Sequence, residues 1–272
     1  MKIKIIYNKD KDLDGEKIKK IIKFLKNKEI YYEIESKYND FNKKSDENNE
    51  KNNNYELILA LGGDGTVMHG CKYALIYDVP IIGVNTGKLG FLTQIDINEI
   101  SQLNNFFDGK YEIDERTVFE VTLSSGKEKY YAINDVVISR KESVKLINID
   151  LYCNLQKVLS YRADGLIIST PTGSTAYSLA AGGPIVDVSL NGLIITPISS
   201  HSLAARPIIF DGDKEIKIVA KSENKQLISI DGNVINEIKK DEEVKIKVSN
   251  KKYKFVNLND RFHLKIFDKP IF

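Results

Sequence analysis

Five apolar residues, Leu57-Ile58-Leu59-Ala60-Leu61, run directly into Gly62-Gly63-Asp64-Gly65-Thr66. The run has the length of a buried strand, and Val67 to Tyr77 reads as a helix. A strand that hands over to a helix is the building unit of an α/β parallel sheet. Glycines in the turn let backbone approach a ligand closely and adopt positive φ. The free N–H groups of a helix start favour phosphate. A carboxylate among such amides repels an anion, so Asp64 needs a reason: to hold a metal, to take a proton or to grip a ribose hydroxyl. A helix N-cap on a tight turn is the plainer alternative.

The flanking chain repeats the unit. Ile3–Tyr7 reads as a strand, 15–28 as an amphipathic helix with Ile18, Ile21, Ile22 and Leu25 on one face, and Ile30–Ile34 as a second strand. Residues 36–54 are almost wholly polar, a solvated linker or a lid. Pro80–Asn85 is another buried strand, ending in a second glycine-rich turn, Asn85-Thr86-Gly87-Lys88-Leu89-Gly90-Phe91. Ligands of open α/β sheets bind beyond the carboxyl ends of strands. Ile100, Leu103, Phe106 and Phe107 give one more helix, closed by Gly109.

Near Lys110 the texture changes to alternation. Tyr111–Leu123 and Tyr130–Ser139 read as a hairpin, and the runs 147–153, 215–220, 227–230, 244–248 and 253–256 as further strands. A chain of 272 residues accommodates two such domains. The expected fold is an α/β N-terminal domain with a parallel sheet over 1–109, then a β-rich domain over 110–258. The apolar tail 259–272 is expected to return to the first domain.

Three polar clusters interrupt the second domain's pattern. Arg162 to Pro184 is rich in glycine, hydroxyls and small side chains, suited to a flat, hydrogen-bonding ligand or to a long connection. Asn134 and Asp135 sit inside an apolar run, where polar groups need partners. Asp231-Gly232-Asn233 ends a strand, as a binding element or as a simple hairpin turn. The phosphate-type turns thus fall in the first domain and the polar pocket segments in the second, so a long ligand is expected to draw on both.

Composition narrows the partners. Forty basic residues against 38 acidic ones, a net charge of +2, argue against nucleic-acid binding. Cys71 and Cys153 lie far apart without metal-ligand spacing and read as buried thiols of a reducing cytoplasm, with no protein metal site. The opening Met-Lys-Ile-Lys-Ile-Ile-Tyr is strand-like and not a signal peptide. No apolar run approaches the roughly 18 residues of a membrane span.

Together these motifs resemble the NAD kinase family. Gly62-Gly63-Asp64-Gly65, Asn85 to Phe91, Asn134-Asp135, Asp164-Gly165 through Tyr177-Ser178-Leu179, and Asp231-Gly232 occur in the family's order and spacing. The resemblance implies a Rossmann-like α/β first domain and a sandwich-like second, and transfer of the γ-phosphoryl of ATP, or of polyphosphate, to the adenosine ribose 2′-hydroxyl of NAD. It implies that Asp64 is the catalytic base, and that Asn134 and Asp135 meet the nicotinamide-side ribose and neighbouring groups. Arg162, Asp164, Thr175, Ala176, Tyr177, Ser178, Leu179 and Ala180 would line the NAD pocket, with Asp231 and Asn233 near the phosphoryl acceptor. Gly65, His69 and Lys145 complete the implied cofactor-binding set. The family more often carries Asn-Glu where this chain has Asn134-Asp135, a shorter reach for the same charge. A divalent cation, Mg²⁺, and a homodimer or homotetramer are implied as well. The chain lacks Gly-x4-Gly-Lys-Ser/Thr, so it is no P-loop kinase. Two other readings are a lipid or sphingoid-base kinase built on the same glycine turn, and a non-catalytic NAD-sensing module.

Overall fold

The structure, a computed structural model, describes residues 1–35, 54–87, 90–141, 145–202 and 205–258. Nearly all of the polar stretch 36–54, Lys88-Leu89 of the second glycine turn, and the tail 259–272 lie outside the described residues. The chain divides into two compact units, one of Met1–Glu115 with the chain from Tyr253, the other of Arg116–Lys252.

In the first unit, β1 (Lys2–Tyr7) leads through α1 (Glu16–Asn27) to β2 (Tyr31–Glu35). β3 (Leu57–Gly62) then leads through α2 (Asp64–Tyr77) to β4 (Ile81–Asn85) and the short β5 (Ile95–Asp96), and α3 is Leu103–Phe107. The strands are parallel in the order β4-β3-β1-β2. β3 and β4 are buried at every residue. That explains why they read as continuous apolar runs without alternation. The chain leaves β1 on one side to reach β2 and resumes on its other side at β3. This reversal is the switch point at which such sheets place ligands. Ile3, Ile5, Ile21, Leu25, Leu59, Leu61, Ile82 and Phe106 form the core. Burying each such side chain contributes about 1.5–3 kcal/mol.

In the second unit, β6 (Glu112–Leu123) pairs antiparallel with β7 (Lys129–Ala132). β8 (Asp135–Arg140), β9 (Ile147–Cys153), β10 (Gln156–Ala163) and β11 (Gly165–Ser169) follow. After α4 (Tyr177–Ala180) come β12 (Gly192–Ile198), β13 (Ile208–Asp211), β14 (Ile216–Ala220), β15 (Gln226–Ile230), β16 (Asn233–Ile238) and β17 (Glu243–Asn257). One sheet runs β13-β12-β11-β8-β15-β16, and β10-β9-β14-β17 pair in another. A single core takes Phe119, Ile149, Ile216 and Ile246 from the strands of one sheet and Ile138, Ile168, Ile195 and Ile228 from the other. That is the sandwich arrangement.

Three elements differ from the sequence reading. Tyr130–Ser139 is not one strand: the chain breaks at Ile133-Asn134, and β8 joins a different sheet from β7. The cluster from Arg162 onward contains a fully buried strand, β11, whose Leu166-Ile167-Ile168 shows no alternation because both faces are covered. The runs 244–248 and 253–256 are one strand of 15 residues, continuous through the polar Ser249-Asn250-Lys251-Lys252.

Candidate active site

In the first unit, Gly63 precedes α2 and Asp64 begins it. Asp64 does not cap its own helix. Its Oδ2 accepts the Phe91 N–H at 2.9 Å and its Oδ1 the Leu92 N–H at 3.0 Å. The carboxylate is thereby pinned at the carboxyl end of β3, and each oxygen keeps a second lone pair for a further donor. A Cβ at Gly90 would overlap that carboxylate, so Asp64 can occupy this place only beside a glycine. The second glycine turn is tied to the first: Thr86 N donates to Gly62 O at 3.3 Å, and Asn85 and Gly87 exchange hydrogen bonds at 2.8 and 3.2 Å. Gly65 is exposed at the tip. His69 points elsewhere. It is buried against Tyr73, with ring centroids 5.6 Å apart, and burial beside Lys72 and Lys4 pushes its imidazole down to about 4.

In the second unit, the break between β7 and β8 is built around Asp231. Its carboxylate accepts the N–H groups of Ile133 (3.1 Å), Asn134 (2.7 Å) and Asp135 (3.2 Å), and its own N–H donates to Asp135 O at 3.0 Å. Asp231 and Gly232 have φ of +49° and +80° and form the two-residue β15–β16 connection. Asp-Gly suits a turn with both central residues left-handed. The hairpin and the polar-cluster readings of 231–233 are therefore one structure. Asn233 Nδ2 closes it on Asp231 O at 3.1 Å.

A second loop covers the same break. Thr170 N donates to Asn134 O at 2.9 Å, Thr170 Oγ1 donates to Ile133 O, and Gly173 N donates to Thr170 Oγ1 at 3.0 Å. Gly173 lies so close that a Cβ there would overlap the Asn134 backbone. Asn134, Asp135, Asp231 and Asn233 thus form one group under the Thr170–Gly173 loop. Thr170, Gly173 and Gly90 were not marked by sequence reasoning, although each lies inside a stretch singled out for its glycines and hydroxyls.

The remaining expected residues have distinct surroundings. Tyr177 is 47% exposed, while Ser178 is buried with its hydroxyl on Thr196 Oγ1 at 2.8 Å. Thr175 Oγ1 turns back to Thr172 O at 3.4 Å. Ala176 N donates to Gly173 O, and Leu179 and Ala180 belong to the short α4. Asp164 pairs with Arg140 at 3.1 Å, an ion pair the sequence did not suggest. Arg162 and Lys145 are exposed. Among the described residues no group of three or more His, Cys, Asp or Glu converges as a metal site.

Asp135 is 5% exposed, and burial together with the neighbouring Asp231 pushes its carboxyl up from 3.8 to about 7. A carboxyl raised in this way holds its proton more tightly folded than unfolded. Its contribution to stability is complete below about pH 4 and is lost as the pH rises through 7. Asp135→Asn is expected to flatten the fall in stability between pH 4 and 8, by on the order of 2–4 kcal/mol. Urea denaturation of both proteins across that range measures it; parallel profiles would place the titration elsewhere.

Residues 6–111 match the family model of the ATP-NAD kinase N-terminal domain, and residues 133–258 that of the ATP-NAD kinase C-terminal domain. The chain belongs to the NAD kinase family. It is 38% identical over 261 residues to the NAD kinase of Clostridium tetani, covering 94% of this chain and 93% of that one. With the NAD kinase of Legionella pneumophila (strain Corby) it shares 41% identity over 199 residues, 71% of this chain and 68% of the other. The fold is that of a yeast NADH kinase complexed with NADH, with TM-score 0.84 and 24% identity over 99% of this chain and 86% of that one. It is also that of an NAD kinase from Archaeoglobus fulgidus in complex with ATP, with TM-score 0.78 and 24% identity over 98% of both chains.

Proposed function

We propose that this chain phosphorylates the adenosine ribose 2′-hydroxyl of NAD, with ATP or inorganic polyphosphate as donor and Asp64 as the proton acceptor. The observation that carries the reading is the Asp64 carboxylate, held by two backbone N–H groups on a glycine turn at a strand's carboxyl end. A ribose hydroxyl is a poor nucleophile, and phosphoryl transfer passes through a loose transition state, so positioning and charge neutralisation supply most of the rate. The 2′-oxygen forms a bond to the terminal phosphorus as the bond to the leaving phosphate oxygen breaks. The electron pair departs with ADP or the shortened polyphosphate, and the hydroxyl proton passes late to Asp64.

The second unit supplies the groups proposed to hold NAD. Asn134 and Asp135 would meet the nicotinamide-side ribose, and Arg162, Asp164 and Thr175–Ala180 would line the pocket, with Tyr177 presenting an exposed ring. Ser178 and Asp231 act here by shaping backbone, since their polar atoms already serve Thr196 and the 133–135 amides. Asn233, Gly65 and Lys145 stay in the proposed set, and buried His69 contributes through packing.

Mg²⁺ would fit beside Asp64, because that ion takes phosphate oxygens and water with only one or two carboxylates, and the Asp64 oxygens each keep a lone pair at the glycine turn. When bound it neutralises charge on the donor phosphates. A homodimer or homotetramer in the cytoplasm belongs to the same proposal. Among the described residues no helix is long and apolar enough to cross a membrane. Family matches over both domains favour NAD over a lipid acceptor, and a placed Asp64 favours catalysis over sensing.

An NADP-formation assay with ATP and with polyphosphate tests the proposal. Donor-dependent NADP is expected, and donor hydrolysis without NADP would overturn it. Gly90→Ala is expected to lower kcat by about 10- to 100-fold, because a displacement of about 1 Å is costly in a positioned reaction. Thermal melting monitors the fold of that variant. A folded Gly90→Ala protein with kcat within twofold of the parent would show that Asp64 need not sit where the 91–92 amides hold it.

A further inference from the structure

We propose that a lysine-lined cleft beside α1 binds the condensed phosphate chain of the phosphoryl donor, leading its terminal phosphate to the Gly62–Thr66 turn. The inference rests on the reading of the protein as a kinase and adds a donor site to it.

The cleft has a volume of about 560 Å³ and lies wholly within the first unit. Lys17, Lys20 and Lys23 line it from α1, and Thr86-Gly87 line it from the end of β4. Helical periodicity produces this arrangement: Ile21 and Leu25 face the core, and the lysines take the opposite stripe. Two carboxylates also line the cleft. Glu16 is paired with Lys19 at 2.9 Å, and Asp96 accepts the Asn98 N–H at 2.8 Å. Four lysines against two carboxylates leave the walls positive. Lys20 Nζ rests on Asn98 Oδ1 at 3.3 Å, and Lys23 makes no ion pair among the described residues.

Bonded contacts run from this cleft to the glycine turn. Thr86 N reaches Gly62 O. Lys17 Nζ donates to Lys11 O at 3.0 Å, and Lys11 Nζ lies 3.2 Å from where a Cβ of Gly63 would stand. The loop that carries Lys11 is braced at the next residue: Asp12 accepts the N–H groups of Lys17 (3.1 Å) and Ile18 (2.9 Å) and the Tyr7 hydroxyl (2.8 Å). Lys11 follows β1 and Gly62-Gly63 close β3, so the row of amines ends at the switch point of the sheet. An ammonium on a flexible stem suits the point charges of a phosphate chain, and it reads no base or sugar. The cleft therefore fits a feature shared by ATP and polyphosphate, with no requirement for adenine.

Lys20→Ala/Lys23→Ala in the full chain is the test, with Lys26→Ala/Lys28→Ala, in the last turn and at the C-cap of α1, as the charge-matched control. The cleft variant should raise the KM for ATP about tenfold, the scale of two screened charge contacts. The KM for NAD, kcat and the melting temperature should stay within twofold or a degree or so of the parent. Lys20→Arg/Lys23→Arg should restore the KM. With inorganic tripolyphosphate as the calorimetric probe, the same variant should bind about tenfold more weakly. A larger loss with long polyphosphate than with ATP identifies polyphosphate as the better-fitted donor; equal losses identify their common chain. An unchanged KM for ATP together with unchanged tripolyphosphate binding would overturn the inference. Absence of NADP from the parent protein would instead count against the kinase reading, and tripolyphosphate binding would still decide the cleft.

Discussion

Asp64→Asn is expected to lower kcat by about 10²- to 10⁴-fold while leaving NAD affinity within a fewfold of the parent. The carboxylate accepts from Phe91 N on one oxygen and from Leu92 N on the other. An amide has only one acceptor oxygen, so one of these N–H groups must lose its partner, at about 1–3 kcal/mol. The variant should therefore melt earlier as well. The chemical loss is separable from the structural one by titrating NAD calorimetrically into the folded variant. A folded Asp64→Asn protein with more than a third of the parental kcat would remove Asp64 from proton transfer.

The second large effect is expected at Asp231. Its carboxylate serves three backbone N–H groups of the 133–135 break, and no other side chain is bonded to those amides among the described residues. Asp231→Ala leaves three donors without that acceptor and puts alanine at φ +49°, where asparagine is far better tolerated. A loss of about 2–4 kcal/mol follows, partial because the group is only part-buried. Asp231→Asn keeps one acceptor and the turn, and should fall between. The KM for NAD should rise in the same order, because Asn134 and Asp135 ride on that backbone. Chemical denaturation and steady-state kinetics of the two variants read both effects. Equal stabilities for all three proteins would show that the hairpin alone holds the break.

Much of this was legible in the sequence, and the failures have physical causes. The parallel sheet announced itself because strands buried on both faces, Leu57–Gly62 and Ile81–Asn85, are uniformly apolar and end in glycines. The same uniformity hid β11, where the Leu166–Ile168 run sits among hydroxyls and glycines that drew the eye to ligand binding. The break at Ile133-Asn134 was illegible because its cause, the Asp231 carboxylate, lies 97 residues from Asn134 in the chain. Long-range capture of backbone amides leaves no local periodicity. The continuity of β17 was missed because Ser249–Lys252 has turn-like composition on a strand with an exposed face. Asp64 stood out as a charge out of place, but its partners, the N–H groups of Phe91 and Leu92, belong to backbone and carry no residue signature. Gly90 was visible only as one glycine among several until the Asp64 carboxylate filled the space beside it.

The most direct measurement of the central claim is the position of the new phosphate. NAD and ATP are incubated with the full chain, and the dinucleotide product is examined by phosphorus and proton NMR. The account predicts a single new phosphomonoester coupled to the C2′ proton of the adenosine ribose, formed with one equivalent of ADP and at least about 100-fold more slowly with Asp64→Asn. A phosphate on any other hydroxyl, or ADP released without a phosphorylated dinucleotide, would contradict it.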